Sequence, residues 1–298
     1  MRFLFLKLLT GFFLIFVFTA LASRATSADS PTPTPESRSP KRAPVSQFYL
    51  FVPLVQGYHA APKKGAALTY QDCSSATAVK ATWEYSWSPS PPNCVGIENI
   101  PMIYGASDMN ATLGGNSQWV MGFNEPDSTS QANLTPAQAA SLWYQIEKKY
   151  PDRKLLAPAP SGADANWVVD FRNAYISAYG IPPRLDGLAA HCYAWYASQC
   201  IPFVQQFESW ASSWGVAEVW VTEFSFATTS PSSPSQSVQQ AQTFISWMEG
   251  QPQVTRFAWF ASKIQGTESW LPPSFDTPLV DWVTGQLTSF GNMYLPYR

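Results

Sequence analysis

The chain is predicted to be an α/β protein, a (β/α)8 TIM barrel forming a single folded domain, on three observations. Eight short apolar runs recur between residues 65 and 260. Amphipathic patterns of helical period fall between most of them, and strands alternating with helices call for a parallel sheet. The competing open, doubly wound sheet usually carries a Gly-rich phosphate turn after its first strand, and "GAALTYQDC" has none.

The N-terminus stands outside this pattern. Residues 1–22 place Arg2 and Lys7 before an apolar run that ends in Ala20-Leu21-Ala22, the form of a secretory signal cleaved after Ala22. The alternative is an uncleaved anchor, although the apolar run is short against the roughly 20 residues of a membrane span. Residues 23–46 are rich in Pro, Ser and Thr, cannot bury a core and read as a disordered linker. Residues 47–63 form an apolar N-terminal extension, and the barrel is expected over 64–298.

Within the barrel the strand candidates are 65–70, 82–87, 98–105, 118–123, 154–160, 185–193, 217–224 and 254–260. The clearest helix follows the fourth strand: Thr135 caps it, Pro136 takes its first position and Gln138 completes a capping box. Further helices are expected at 166–179, 201–214 and 235–249, with a last one near 278–287. After the first two strands the helical signal fades into a marginal helix and the loop "SPSPPNC".

Composition narrows the function. Only 13% of residues are charged, against about 25% on average, and removing the signal would move net charge from −2 to −4, so no basic surface for nucleic acid is expected. Aromatics reach 15%, which fits either a Trp-rich core or a cleft where sugar C–H faces pack on rings. Two His residues without ligand spacing argue against a metal, and no cofactor is implied. With an export signal, Cys73, Cys94, Cys192 and Cys200 point to disulfides, although four cysteines allow three pairings.

A barrel places its chemistry at the C-terminal ends of the strands, and that sorts the 20 acidic residues. Glu98, Asp186 and Glu218 begin strands and belong to the far face, while Glu147, Asp170 and Glu208 lie on helices. Glu84 sits inside a strand, either facing the barrel interior or in a buried salt bridge. Glu125, just past the fourth strand, and Glu223, at the end of the seventh, pass the filter. Two rigid carboxylates over an aromatic cleft are the equipment of glycoside hydrolysis, where one protonates the leaving oxygen and the other attacks or activates water.

At these residues the sequence resembles a known family. "GFNEPD" and "WVTEF" are similar to the clan A retaining glycoside hydrolases, which are (β/α)8 barrels. With "YSWSP", "IPMIYG", "LAAHCYAW" and "RFAWF" in order, residues 64–298 resemble glycoside hydrolase family 128, the β-1,3-glucanases. The resemblance implies Glu125 as acid/base, with a pKa raised toward about 6, and Glu223 as an ionised nucleophile. It implies Asn124 on the sugar 2-hydroxyl, Trp259 as the platform beneath the central sugar, and Trp87 and Tyr104 in the cleft. Trp195 and Trp270 are further loop candidates. Alternation along the sixth strand then puts His191 and Tyr193 inward, Tyr193 to hold Glu223 charged and His191 to contact substrate or orient the acid. Cys192 points outward, a departure from the family's usual aromatic, where Cys200 at the start of the next helix can reach it. Cys73 and Cys94 lie just past the first two strands on one face, so pairs Cys192–Cys200 and Cys73–Cys94 are expected. The resulting expectation is a secreted, monomeric endo-β-1,3-glucanase acting on β-1,3-glucan with retention. The alternatives are a clan A glycosidase on another β-glycan and a non-catalytic glycan-binding protein on the same barrel.

Overall fold

The structure is a computed structural model and describes residues 62–266, 268–269 and 271–298. The expected signal, the linker and all of the 47–63 extension except its last two residues lie outside that range, as does Trp270.

Eight parallel strands are present: β1 (Lys64–Ala67), β2 (Trp83–Tyr85), β3 (Glu98–Asn99), β4 (Trp119–Met121), β5 (Lys154–Leu156), β6 (Gly187–Ala194), β7 (Glu218–Phe226) and β8 (Val254–Trp259). They form one curled sheet in the order β3-β2-β1-β8-β7-β6-β5-β4. Past β3 the chain reaches β4 through a parallel bridge, Met102 to Met121, flanked by Met121 N–H to Pro101 O and Ile103 N–H to Met121 O. Several ladders are shorter than the apolar runs predicted. β3 covers only Glu98–Asn99, and on its β4 side Pro101 has no N–H to offer, so that junction is a bridge and not a ladder.

The helices are α1 (Cys73–Ala78), α2 (Pro136–Lys149), α3 (Trp167–Tyr179), α4 (Ala197–Trp214), α5 (Pro234–Gly250) and α6 (Ser289–Tyr294). α2 starts as its sequence specifies, with Thr135 and Gln138 exchanging both bonds of the capping box. The helix expected near 278–287 is absent. Val280 bridges Lys263 on one side and Leu287 on the other, and the Asp281 carboxylate accepts from the N–H groups of Val283 and Thr284 to close a turn. The helix begins only after Thr288, whose hydroxyl caps it at Gly291.

Alternation divides the core into two layers. Trp83, Tyr85, Trp119, Met121, Leu156, Trp220 and Ala258 fill the inside of the curled sheet, while Val120, Leu155, Val219, Val221 and Phe257 face the helices. Trp220 stands at the centre, 5.5 Å from Trp83 and 4.6 Å from Trp119 between ring centroids. Much of the aromatic excess is therefore core. Gly65 is required by close approach: a Cβ there would lie 2.1 Å from the Trp83 ring, which its own Nε1–H bond to Lys63 O holds in place. Gly65→Ala is expected to cost about 2–3 kcal/mol, measurable by urea unfolding, and no loss would show that the ring yields.

Below the aromatic layer, Arg256 pairs with Glu98 at 2.7 Å, and Glu218 accepts from Trp220 Nε1 and Thr255. The strand-starting acids thus serve the far, structural face, as their position implied. Disulfides join Cys73 to Cys94 and Cys192 to Cys200, the pairs expected. Glu84 fits neither of its expected roles. It lies between two inward residues and so faces the other way, fully buried, with no hydrogen-bond partner at either oxygen. Burial pushes its carboxyl up to about 8.

Candidate active site

A cavity of about 680 Å³ opens where the strands end. Its walls include Trp87, Tyr104, Asn124, Glu125, Tyr193 and Glu223, so the sheet gathers six of the predicted site residues around one space.

The Glu125 lip is stitched to both neighbours. Asn124 N–H donates to Tyr104 O at 2.9 Å and Glu125 N–H to Ala159 O at 2.8 Å, while Ser128 N–H closes the turn on Glu125 O. Glu125 itself has φ +40°, in the left-handed region, where a non-glycine residue costs on the order of 1 kcal/mol or more. Trp87 shares this conformation at φ +50°. Asn124 is buried; its Nδ2 donates to Gln131, and its Oδ1 has no partner in the protein. An unpaired buried carbonyl on a cavity wall is an acceptor ready for a ligand hydroxyl.

Glu223 reaches the site through an irregularity in the sheet. β6 and β7 pair Ala190 with Val221 and then His191 with Glu223, so Thr222 is the extra residue that re-aims the strand. One Glu223 oxygen accepts from Trp87 Nε1 at 2.8 Å and from the Tyr85 hydroxyl at 3.2 Å, and the other accepts from the Tyr193 hydroxyl. Burial raises the Glu223 pKa above the ordinary range, and the Glu125 carboxylate adds to this. His191 and the Tyr193 and Trp87 donors oppose it.

His191 is fully buried, with Nδ1 2.9 Å from Glu125 and 3.5 Å from Glu223. Burial disfavours its charge, but the two carboxylates outweigh burial and leave its pKa raised. His191 thus bridges the two carboxyl groups. One atom from each of Glu125, His191 and Glu223 lies within 4.8 Å of the others, the one grouping among the described residues close enough to hold a cation.

Trp259 does not line this space. β8 alternates Ala258 inward and Trp259 outward, so Trp259 is fully buried against Phe224 and Phe290, and its Nε1–H donates to Thr277 O. The residue of this segment on the cavity wall is the next one. Phe260 lines the cavity and meets Trp87 and Tyr193 edge to face. Trp195 is exposed and lies outside the lining. The sequence reading also missed Tyr85 and Gln131. Tyr85 was discoverable, since it shares the face of Trp87 two residues on. Gln131, which accepts from Tyr104 and Asn124, lies in a loop with no periodicity to mark it.

A family model described as "Glycosyl hydrolase catalytic core" matches residues 65–294. Among curated proteins, alkali-sensitive linkage protein 1 of Schizosaccharomyces pombe is 24% identical over 194 residues, covering 60% of this chain and 34% of that protein. The chain thus spans about a third of the length of that relative. Among solved structures, a family 128 subgroup II endo-β-1,3-glucanase of Pseudomonas viridiflava is 26% identical with TM-score 0.62, covering 79% of this chain and 98% of that one. A subgroup I endo-β-1,3-glucanase of Amycolatopsis mediterranei, solved with laminaripentaose, is 24% identical with TM-score 0.63, covering 80% and 100%.

Proposed function

This chain belongs to the glycosyl hydrolase catalytic core family, and from that premise we propose that it is a secreted endo-β-1,3-glucanase that retains the anomeric configuration. The observation that carries the mechanism is the closeness of the acids, with one oxygen of each within 4.8 Å of the other. Retaining pairs stand about 5–5.5 Å apart, while inverting pairs need about 6.5–9.5 Å to admit a water. Glu223 attacks the anomeric carbon and Glu125 protonates the departing glycosidic oxygen. Glu125 then deprotonates the water that releases the sugar from Glu223. Asn124 Oδ1 accepts a hydrogen bond from the 2-hydroxyl, a bond that strengthens as the ring flattens toward the transition state.

The substrate class rests on the ordered motifs and on the endo-β-1,3-glucanases that share the fold. Two disulfides support export to an oxidising compartment, and no helix among the described residues is long and apolar enough to cross a membrane. The same reading takes the sheet as a closed barrel, supported by the Met102–Met121 bridge between the ends of its strand order. Proton NMR of a laminarin digest is expected to show the β-anomer first, with oligosaccharides of several lengths. The α-anomer first would overturn retention, and glucose alone from the outset would overturn endo action.

Tyr193 supplies a second test. Its hydroxyl lowers the Glu223 pKa, so Tyr193→Phe should raise it further. Less Glu223 is then ionised at a given acidic pH, and the acid limb of kcat/KM moves to higher pH. A limb that stays in place would remove Tyr193 from that role.

A further inference from the structure

The cleft wall continues outward into an exposed aromatic pair that the reaction does not use. Tyr70 lines the cavity, and its ring lies 4.7 Å from that of Trp282, tilted by 57°. Both side chains are over a third exposed, unlike the core aromatics. An exposed aromatic patch continuous with a cleft is the kind of surface that marks a ligand-binding groove.

The pair sits on a braced frame. Trp282 follows Asp281 in the tight turn between Val280 and Leu287, and Val280 is also bridged to Lys263. The Lys263 ammonium lies over the Trp282 ring at 5.2 Å and pairs with Asp72 at 3.1 Å. The Tyr70 hydroxyl donates to Glu268, whose carboxylate also accepts from the N–H groups of Gln265 and Gly266. Rings held this way lose little freedom when a ligand arrives.

We propose that Tyr70 and Trp282 form an outlying subsite that stacks glucose units of a glucan chain running out of the cleft. The inference rests on the glucanase reading above and adds a residue, Trp282, that lies beyond the cavity. The occupant follows from continuity, because a chain threaded past Glu125 and Glu223 meets Tyr70 on the wall and Trp282 next. Short oligosaccharides end before reaching the pair, so its contribution must grow with chain length.

The test compares kcat/KM on laminariheptaose and laminaritriose for wild type, Trp282→Ala and Trp282→Tyr, with thermal unfolding to verify the fold. Trp282→Ala is expected to lower the heptaose-to-triose ratio about tenfold, and Trp282→Tyr to restore most of it. An unchanged ratio, whether both rates hold or both fall equally, overturns the subsite while leaving the glucanase reading intact. A wild type that cleaves neither sugar overturns the parent reading, and the subsite with it.

Discussion

Replacing Glu223 by Gln is expected to lower kcat on laminarin by about 10⁴-fold or more, some 5.5 kcal/mol of transition-state stabilisation, with little change in KM. The amide keeps the size of the carboxylate. Its oxygen still accepts from Trp87, and the Tyr193 hydroxyl can rotate to accept from the new NH2. Folding should therefore survive while the nucleophile is lost. The decisive companion is Glu223→Ala with added azide, which would enter from the vacated side and give the α-glycosyl azide. A β-azide, or an active Gln variant, would show that Glu223 does not attack. Glu125→Gln should behave differently, recovering its first step on a dinitrophenyl glycoside that needs no proton to leave. Equal loss on both substrates would remove Glu125 as the acid.

Glu84→Gln is expected to stabilise the fold at pH 8.5 and to change little at pH 4.5. The folded carboxyl titrates near 8 against about 4.5 when unfolded, so the folded state binds the proton more tightly. Stability is thus unaffected below the unfolded pKa, falls as pH rises between the two values, and is fully reduced above 8. At about 1.4 kcal/mol per unit the reduction is on the order of 5 kcal/mol. Gln cannot ionise and escapes it, so the variant's Tm should exceed wild type by on the order of 10 °C at pH 8.5. A Tm gain independent of pH would mean that Glu84 has a partner or solvent access.

Sequence patterns carried the eight parallel strands, the capped α2, the placing of Glu125 and Glu223 on one cavity and both disulfides, because each depends on period or position within an element. They failed where geometry departs from the ideal. The resemblance implied Trp259 as the platform, yet the pleat alternates, and the residue that reaches the cavity is the next one, Phe260. The shift that brings Glu223 beside His191 comes from an extra residue in β7, which alternation alone cannot show. Residues 278–287 look amphipathic, but the Asp281 turn and the two bridges of Val280 compete successfully with a helix. Glu84 shows a third kind of limit, since a sequence cannot say that a buried carboxyl lacks a partner.

The placing of His191 Nδ1 between two carboxyl groups has a consequence for ligand design. The floor of the cleft holds two acids against one base, so it favours a ligand that carries positive charge where the anomeric carbon would lie. A sugar mimic with a protonated ring amine gains from both carboxylates, whereas a neutral lactone of the same shape gains from neither. Such an amine should bind more tightly as the acids ionise, up to the pH at which it loses its own proton.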